Sequence, residues 1–491
     1  MPHWPAGDDI GRYRYVDSLL KYGKFLGCDG YNGSCAAIPE YATPWGGVWL
    51  LPYLAFGAVF GWQFNSPILA NLLFLGAANV AFILLTECSK RSILYLLLAN
   101  FFLYINILYS MSAMSEPSRY AMAIVLSGML YRQAFFDTGK FYRYVAMPVM
   151  CTFASLSYLI LVSHFLIYLF LMCRDVLGKR AFAGRWNSVC SCLCILGVFV
   201  LYTYAMMKIT GLFTPTYFQE SALSLLERGD SYATVMGMLV HDIRVNLEKI
   251  NLFSIAKAGG VSLLDVSVGV PKGYTVLWFA LLCYVLTVYL LVFMLRGNTA
   301  HDRWIAGISF FILMLFVAGH VVLYGHASRS TLVRGINTAV CCVAYLAVLM
   351  KDRRLIAVFI LMAAFYAPLF FHEMKFIQNQ PLRYIPPDMR EKIIAEEKML
   401  EKQVCDTSAT NPWDNTVAKF WPSTGALFVP SCLSSNLVTE RGDNMMELFK
   451  KSKYVLFGWG DGAGAAFPKF LEEGYVIVGE NELYVLLKRK E

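Results

Sequence analysis

The sequence predicts a polytopic α-helical membrane protein of about ten crossings, with helices at the interface and a small extracytoplasmic α/β domain at the C-terminus. Three observations carry that expectation. Of 491 residues, 57% are hydrophobic and 15% charged, which marks an integral membrane protein before any motif is considered. The apolar residues gather into runs of roughly 20, the length that crosses ~30 Å of hydrocarbon. Beyond about residue 372 the runs stop, charge becomes balanced, and short β-branched and aromatic stretches take over.

Residues 1–67 read as an external first loop. Its apolar stretch 46–64 is interrupted by Gly46, Gly47, Pro52 and Gly57, and so is expected to lie at the interface or to dip in and return. Spans follow at about 68–86, 92–113, 117–136, 144–172, 188–210, 274–295, 304–324, 333–350 and 355–371. Between them stand Lys90/Arg91, Arg132/Lys140/Arg143, Arg174/Lys179/Arg180/Arg185, Arg296/Arg303 and Lys351/Arg353/Arg354. These are fourteen cations against the five acids Glu87, Asp137, Asp175, Asp302 and Asp352, so those loops are expected to be cytoplasmic. The net charge of +8 thus orients the chain and does not imply nucleic acid as a partner.

The alternation fails once, at 144–172, where a single crossing would put Arg174 to Arg185 on the wrong side. Pro148 and the Ser155/Ser157 interruption predict a hairpin of two short helices that enters and leaves on one side, packed inside protein. The loop 211–273 then falls outside. Leu239, Ile243, Leu247 and Ile250 recur there at helical spacing, which predicts a helix along the membrane surface. Residues 1–372 form the membrane domain on this reading, and 373–491 a soluble domain with strands over 453–458, 475–478 and 483–488, the last two joined as a hairpin.

Nine of the thirteen cysteines lie in or beside spans and read as small apolar residues. Cys28 with Cys35 and Cys405 with Cys432 are external, as two local disulfides or as free thiols. Gly458 to Gly464 lacks the Lys-Ser/Thr of a nucleotide loop and reads as a glycine turn. Asn411 to Thr416 has the aromatic and amide groups that stack and bind sugars, and equally those of an ordinary loop. His164 lies within an apolar span, where packing and function both account for it. His241, His326 and His372 show no metal-ligand spacing, so no metal ligand is assigned.

Chemistry is expected from two acidic elements on the external side, Gly7-Asp8-Asp9-Ile10-Gly11-Arg12-Tyr13 and Ser115-Glu116-Pro117-Ser118-Arg119-Tyr120. Glu116 also suits a helix N-terminus as a simple cap, and Asp8/Asp9 a solvated tail. Together with Lys21 to Phe25 and Pro44-Trp45-Gly46-Gly47 between them, the order of elements resembles the GT-C superfamily of membrane glycosyltransferases. The resemblance covers roughly residues 8–210 and is looser to 372. It implies a polyprenyl-phosphate sugar donor and a glycan, lipid or protein acceptor, with membrane lipid around the protein, no nucleotide, and a divalent metal as an option. It further implies a place in cell-envelope polysaccharide assembly, in the inner or plasma membrane, with inversion at the anomeric carbon. The helix that precedes the first acidic loop in the family is missing here, which points to a truncated start.

The residue types fit that chemistry. A carboxylate takes the acceptor proton, and Asp9 or Asp8 is the candidate, with Glu116 orienting acceptor or sugar or sharing a metal. Guanidinium groups hold the departing phosphate through charge-assisted bonds; the external candidates are Arg119, Arg12, Arg329, Arg334 and Arg383, of which only Arg119 is tied to an acid by spacing. Two other classes are kept: a polysaccharide polymerase or ligase on diphosphate-linked oligosaccharide, which would lean on the arginines, and a transporter of lipid-linked sugar, which would want charges at mid-membrane.

Overall fold

The computed structural model of the chain describes residues 8–23, 29–31, 48–63, 65–103, 106, 109–110, 115–177, 193–202, 204, 231–250, 275–297, 299–323, 329–350, 391, 395, 401, 416–420, 432, 434–438, 449–450, 452–458, 467–480 and 484–490. The span expected over 355–371 lies outside these residues, as do Arg383, Asn411 to Asn415, His326, His372, Cys28, Cys35 and Cys405.

The segment read as an external loop starts as a helix, α1 (Asp8–Tyr22). Asp8 and Asp9 occupy its first turn and Lys21 its last, the arrangement that suits the helix dipole at both ends. Gly23, at φ +69°, ends it, its N–H reaching Leu19 O at 3.0 Å. A strand, β1 (Asp29–Tyr31), follows. Then come a turn of 3-10 helix over Val48–Leu50 and α2 (Leu51–Phe60), the short element predicted from its Gly/Pro punctuation. Tyr15 and Val16 of α1 are buried with Trp49, Leu50 and Tyr53, and Tyr13 stacks on Trp62 at 5.9 Å between ring centres.

The bundle proper comprises α3 (Ser66–Thr86), α4 (Lys90–Phe102), α5 (Glu116–Phe135), α6 (Met147–Ser157), α7 (Val162–Leu177), α8 (Leu193–Tyr202), α9 (Tyr232–Ile250), α10 (Thr275–Arg296), α11 (Ala300–Leu323) and α12 (Arg329–Ala347). Among the described residues, α3 and the stretch Ala300–Val321 are long and apolar enough to cross a membrane by length and composition alone. Leu69, Leu72, Leu73, Val80 and Leu84 of α3 all face outward, a surface that hydrocarbon accommodates and water does not.

Helix α5 is the axis of the core. It begins with Glu116 and Pro117 and ends with Arg132, residues placed as the dipole and the proline ring require. Nearly all of it is buried, against α3, α7 and α12. The region 144–172 forms the expected hairpin. Its entry is a turn of π-helix over Tyr142–Ala146, and the chain breaks at Tyr158 and Leu159–Leu161 before α7 returns. Tyr158 lies against Ser115 and Ser118 at the N-terminus of α5. At the opposite end, Tyr142 Oη donates to Met129 O, Tyr168 Oη to Arg143 O, and Arg174 to Ala134 O. Both arms therefore run the length of α5.

Interior polar groups in the bundle bond across helices. Tyr345 Oη lies 2.9 Å from Asn79 Oδ1 and 2.6 Å from Asn100 Oδ1, joining α12, α3 and α4; Asn337 Nδ2 donates to Asn106 Oδ1 at 3.0 Å. Such interhelical bonds contribute roughly 0.6 kcal/mol each in a bilayer. Helix α9 buries Asp242 and Asn246, Asn246 donating to Val321 O at 3.0 Å, and exposes Val240 and Leu247 beside Arg244 and Glu248.

The strands expected near 453–458, 475–478 and 483–488 are β4 (Tyr454–Gly458), β5 (Tyr475–Glu480) and β6 (Tyr484–Arg489), preceded by β2 (Thr416–Phe420) and β3 (Ser434–Val438), with a short helix α13 (Phe467–Glu472) before β5. The sheet order is β1-β3-β2-β4-β6-β5, parallel from β1 to β4 and antiparallel beyond. Its edge strand thus comes from the N-terminal segment, with Gly30 opposite Asn436. Tyr22 Oη also bonds Glu401, so both ends of the chain meet. Cys432 is in a disulfide.

Candidate active site

The N-terminus of α5 gathers buried polar groups from Ser115, Glu116, Ser118 and Arg119. Glu116 and Arg119 are 6% and 9% exposed, on adjacent turns of one helix. Burying both costs free energy unless other groups compensate. Tyr158, at the break of the α6–α7 hairpin, supplies part of that compensation. Its Oη lies 2.7 Å from both Ser115 O and Ser118 Oγ, and Ser118 Oγ is 2.8 Å from the same carbonyl, so two hydroxyl protons serve three oxygens. The Arg119 guanidinium sits over the rings of Tyr158 and Tyr120, 5.5 and 5.7 Å from their centres. The hairpin break that the sequence marked with serines therefore packs against the start of the helix that carries the acid and the cation.

Helix α1 packs beside this group. Tyr158 touches the apolar cluster built on Tyr15 and Val16 of α1, with Trp49, Leu50 and Tyr53. Asp9 precedes Val16 by seven residues, about 10 Å along a helix axis. Asp8, Asp9 and Arg12 have a described backbone in the first turns of α1, whereas their side chains lie outside the described part of the structure. The shared cluster brings α1 to the Glu116 end. Two charged residues of α1 that the sequence reading passed over, Arg14 and Asp17, are each 3% exposed, and Asp17 pairs with Lys21 at 2.9 Å. Their helical spacing, on the face that carries Tyr13 and Val16, is the signal that would have found them.

The far helices close the same end. His320, on the last turns of α11, is buried and within reach of the Arg119 charge; its Nδ1 donates to Phe316 O at 2.9 Å. Its ring stands against Gly335 of α12, where an added Cβ would come within 1.6 Å of His320 Nε2. Arg334 precedes that glycine and Arg329 opens the helix; both side chains lie outside the described part. The buried carboxylate of Asp242 lies one turn before Asn246, which binds the end of α11. His320 and Asp242 were invisible as site residues from spacing, since each sits alone in an otherwise unremarkable segment. No three His, Cys, Asp or Glu side chains gather into a metal-binding group among the described residues.

His164 lies within the bundle, beside Ser127, Cys342 and the ring of Phe316, in an apolar surround where an uncharged imidazole packs. The charged residues buried in the described structure, Arg14, Asp17, Glu116, Arg119, Asp175, Asp242 and Asp302, belong to helix ends or to α1 and α9. Neither cations nor carboxylates stand at mid-bundle in the described residues.

No family model matches the chain, and no curated protein matches it. Among solved structures it is similar to ArnT from Cupriavidus metallidurans in the apo state, at 12% identity and a TM-score of 0.40, over 99% of this chain and 94% of that one. It is similar in the same way to ArnT from Cupriavidus metallidurans bound to undecaprenyl phosphate, at 11% identity, the same coverage and a TM-score of 0.40.

Proposed function

We propose that the chain is a membrane glycosyltransferase of GT-C type that moves a sugar from a polyprenyl-phosphate donor to an envelope glycan, lipid or protein on the extracytoplasmic face. The observation that carries this reading is the burial of both Glu116 and Arg119 at a helix start that Tyr158 packs against, beside α1, at the end of the bundle away from the basic loops. A transfer of this kind needs a base for the acceptor hydroxyl and cations for the leaving phosphate, in a place screened from water. Asp9 or Asp8, in the first turn of α1, takes the acceptor proton as the hydroxyl oxygen bonds the anomeric carbon. Glu116 orients acceptor or sugar, and Arg119 holds the phosphate as it departs, with Arg12, Arg329, Arg334 and Arg383 as further cations. A divalent metal bound by the carboxylates is compatible with this scheme and no step depends on it. The membrane domain of 1–372 supplies the reaction, and 373–491 forms a soluble domain whose sheet takes in β1.

The test is transfer from a labelled polyprenyl-phosphate sugar by membranes containing the full chain. Asp9→Asn, Asp8→Asn and Glu116→Gln are compared with Arg334→Gln and Arg383→Gln. Loss of transfer in a carboxylate variant supports the reading. Transfer from a diphosphate-linked oligosaccharide that needs the arginines and tolerates all three acid substitutions would move the chain to the polymerase or ligase class, and movement of donor across vesicles without transfer would make it a transporter.

A further inference from the structure

At the end of the bundle opposite Glu116, a groove of about 430 Å³ opens sideways between α7, α10 and α11. Its walls are apolar, with Leu166, Phe170 and Phe311 exposed along its mouth. Gly307 forms part of the floor: a Cβ added there would meet only Met294 Sδ, at 3.9 Å, so the space above it is open. The lining runs along α11 from Arg303 to Leu315, about 18 Å at the helical rise. One leaflet of the hydrocarbon core is about half of ~30 Å deep, so the groove has the length of a single leaflet.

The groove has one polar end. Arg303 is exposed at it and has no carboxylate partner among the described residues, because its neighbour Asp302 faces His301. Arg132, Arg143 and Arg174 at this end are paired, with Glu87, Asp137 and Asp175, and Arg91 donates to Tyr95 Oη. Beside Arg303, Trp304 carries the Arg174 guanidinium over its ring at 5.0 Å, the amphipathic residue expected at headgroup depth. An apolar channel of leaflet length that ends in an uncompensated guanidinium and an interfacial indole is complementary to an acyl chain joined to a phosphate.

We infer that this groove is a binding site for an anionic phospholipid of the leaflet that meets the basic end, one acyl chain lying between α7, α10 and α11 and the phosphate on Arg303. Phosphate oxygens accept charge-assisted bonds from the guanidinium, as they would at any arginine site. The site is separate from the proposed transfer chemistry and stands whether or not that proposal holds.

Native mass spectrometry of the full chain in detergent, with phosphatidylglycerol or phosphatidylcholine added, reads it directly. The wild type should hold one phosphatidylglycerol at least about tenfold in preference to phosphatidylcholine. Arg303→Ala, at an exposed position, should erase the preference, Arg303→Lys should keep part of it, and Gly307→Phe should lower binding of both lipids by filling the floor. Equal retention of the two lipids by the wild type, full retention of phosphatidylglycerol by both Arg303→Ala and Gly307→Phe, or displacement of phosphatidylglycerol from Arg303 by added polyprenyl phosphate would each overturn the assignment.

Discussion

The two ends of α5 both carry charged side chains and use them differently. At the Arg132 end two pairs lie at the surface, Arg132 with a Glu87 that is 59% exposed and Arg143 with a fully exposed Asp137, while the buried Asp175 is paired with Arg174, whose guanidinium lies over Trp304. Surface pairs contribute about 0–1 kcal/mol and serve orientation more than stability. At the Glu116 end the acid and the arginine are taken out of water, Tyr158 bonding the start of their helix and lying under the guanidinium, with His320 near the Arg119 charge. Desolvated charge is costly to keep, and a fold gains little stability from it. The difference teaches where to look for chemistry in a bundle of this sort: at the end where burial of ions is tolerated, and away from the end where ions are abundant.

That contrast can be broken or sharpened by substitution, from the largest effect to the smallest. Glu116→Gln should lower sugar transfer by about a hundredfold, the range for a misplaced substrate, with the protein still folded in detergent. Gly335→Ala places a Cβ into the His320 ring. It should destabilise the chain by about 1–3 kcal/mol in thermal unfolding, and His320→Ala should restore most of the loss when the two are combined. Tyr158→Phe removes the hydroxyl that binds Ser115 O and Ser118. The expected cost is about 1–2 kcal/mol, together with a several-fold fall in transfer because the helix start that positions Glu116 and Arg119 loses a partner. Glu87→Gln at the opposite end should change stability by less than about 0.5 kcal/mol and leave transfer untouched. An equal response to Glu87→Gln and Glu116→Gln would erase the distinction between the two ends.

Much of the architecture was legible because it follows from local rules. Pro148 and the Ser155/Ser157 interruption marked a hairpin whose break falls at Tyr158, and the runs near 453–458 and 475–488 alternated as strands do. Glu116 and Arg119 could be named from three-residue spacing at a helix start. What stayed hidden depends on distant partners. Asp29–Tyr31 has no strand pattern of its own and becomes one by lying along β3, more than 400 residues away in the chain. The acidic pair at 8–9 was read as loop, although Asp8, Asp9 and Lys21 already suited a helix at both termini. His320 and Asp242 entered the buried polar set through packing that no spacing announces. In a bilayer, helix existence is written in hydropathy, whereas helix contacts rest on small differences in packing between equally apolar faces.

The most direct measurement is a cryo-EM map of the full chain with a non-transferable polyprenyl-phosphate sugar analogue. The phosphate should lie against Arg119 with the sugar turned toward Glu116 and the first turn of α1. A headgroup seated among Arg132, Arg143 and Arg174 instead, with the Glu116 end closed to it, would contradict the account.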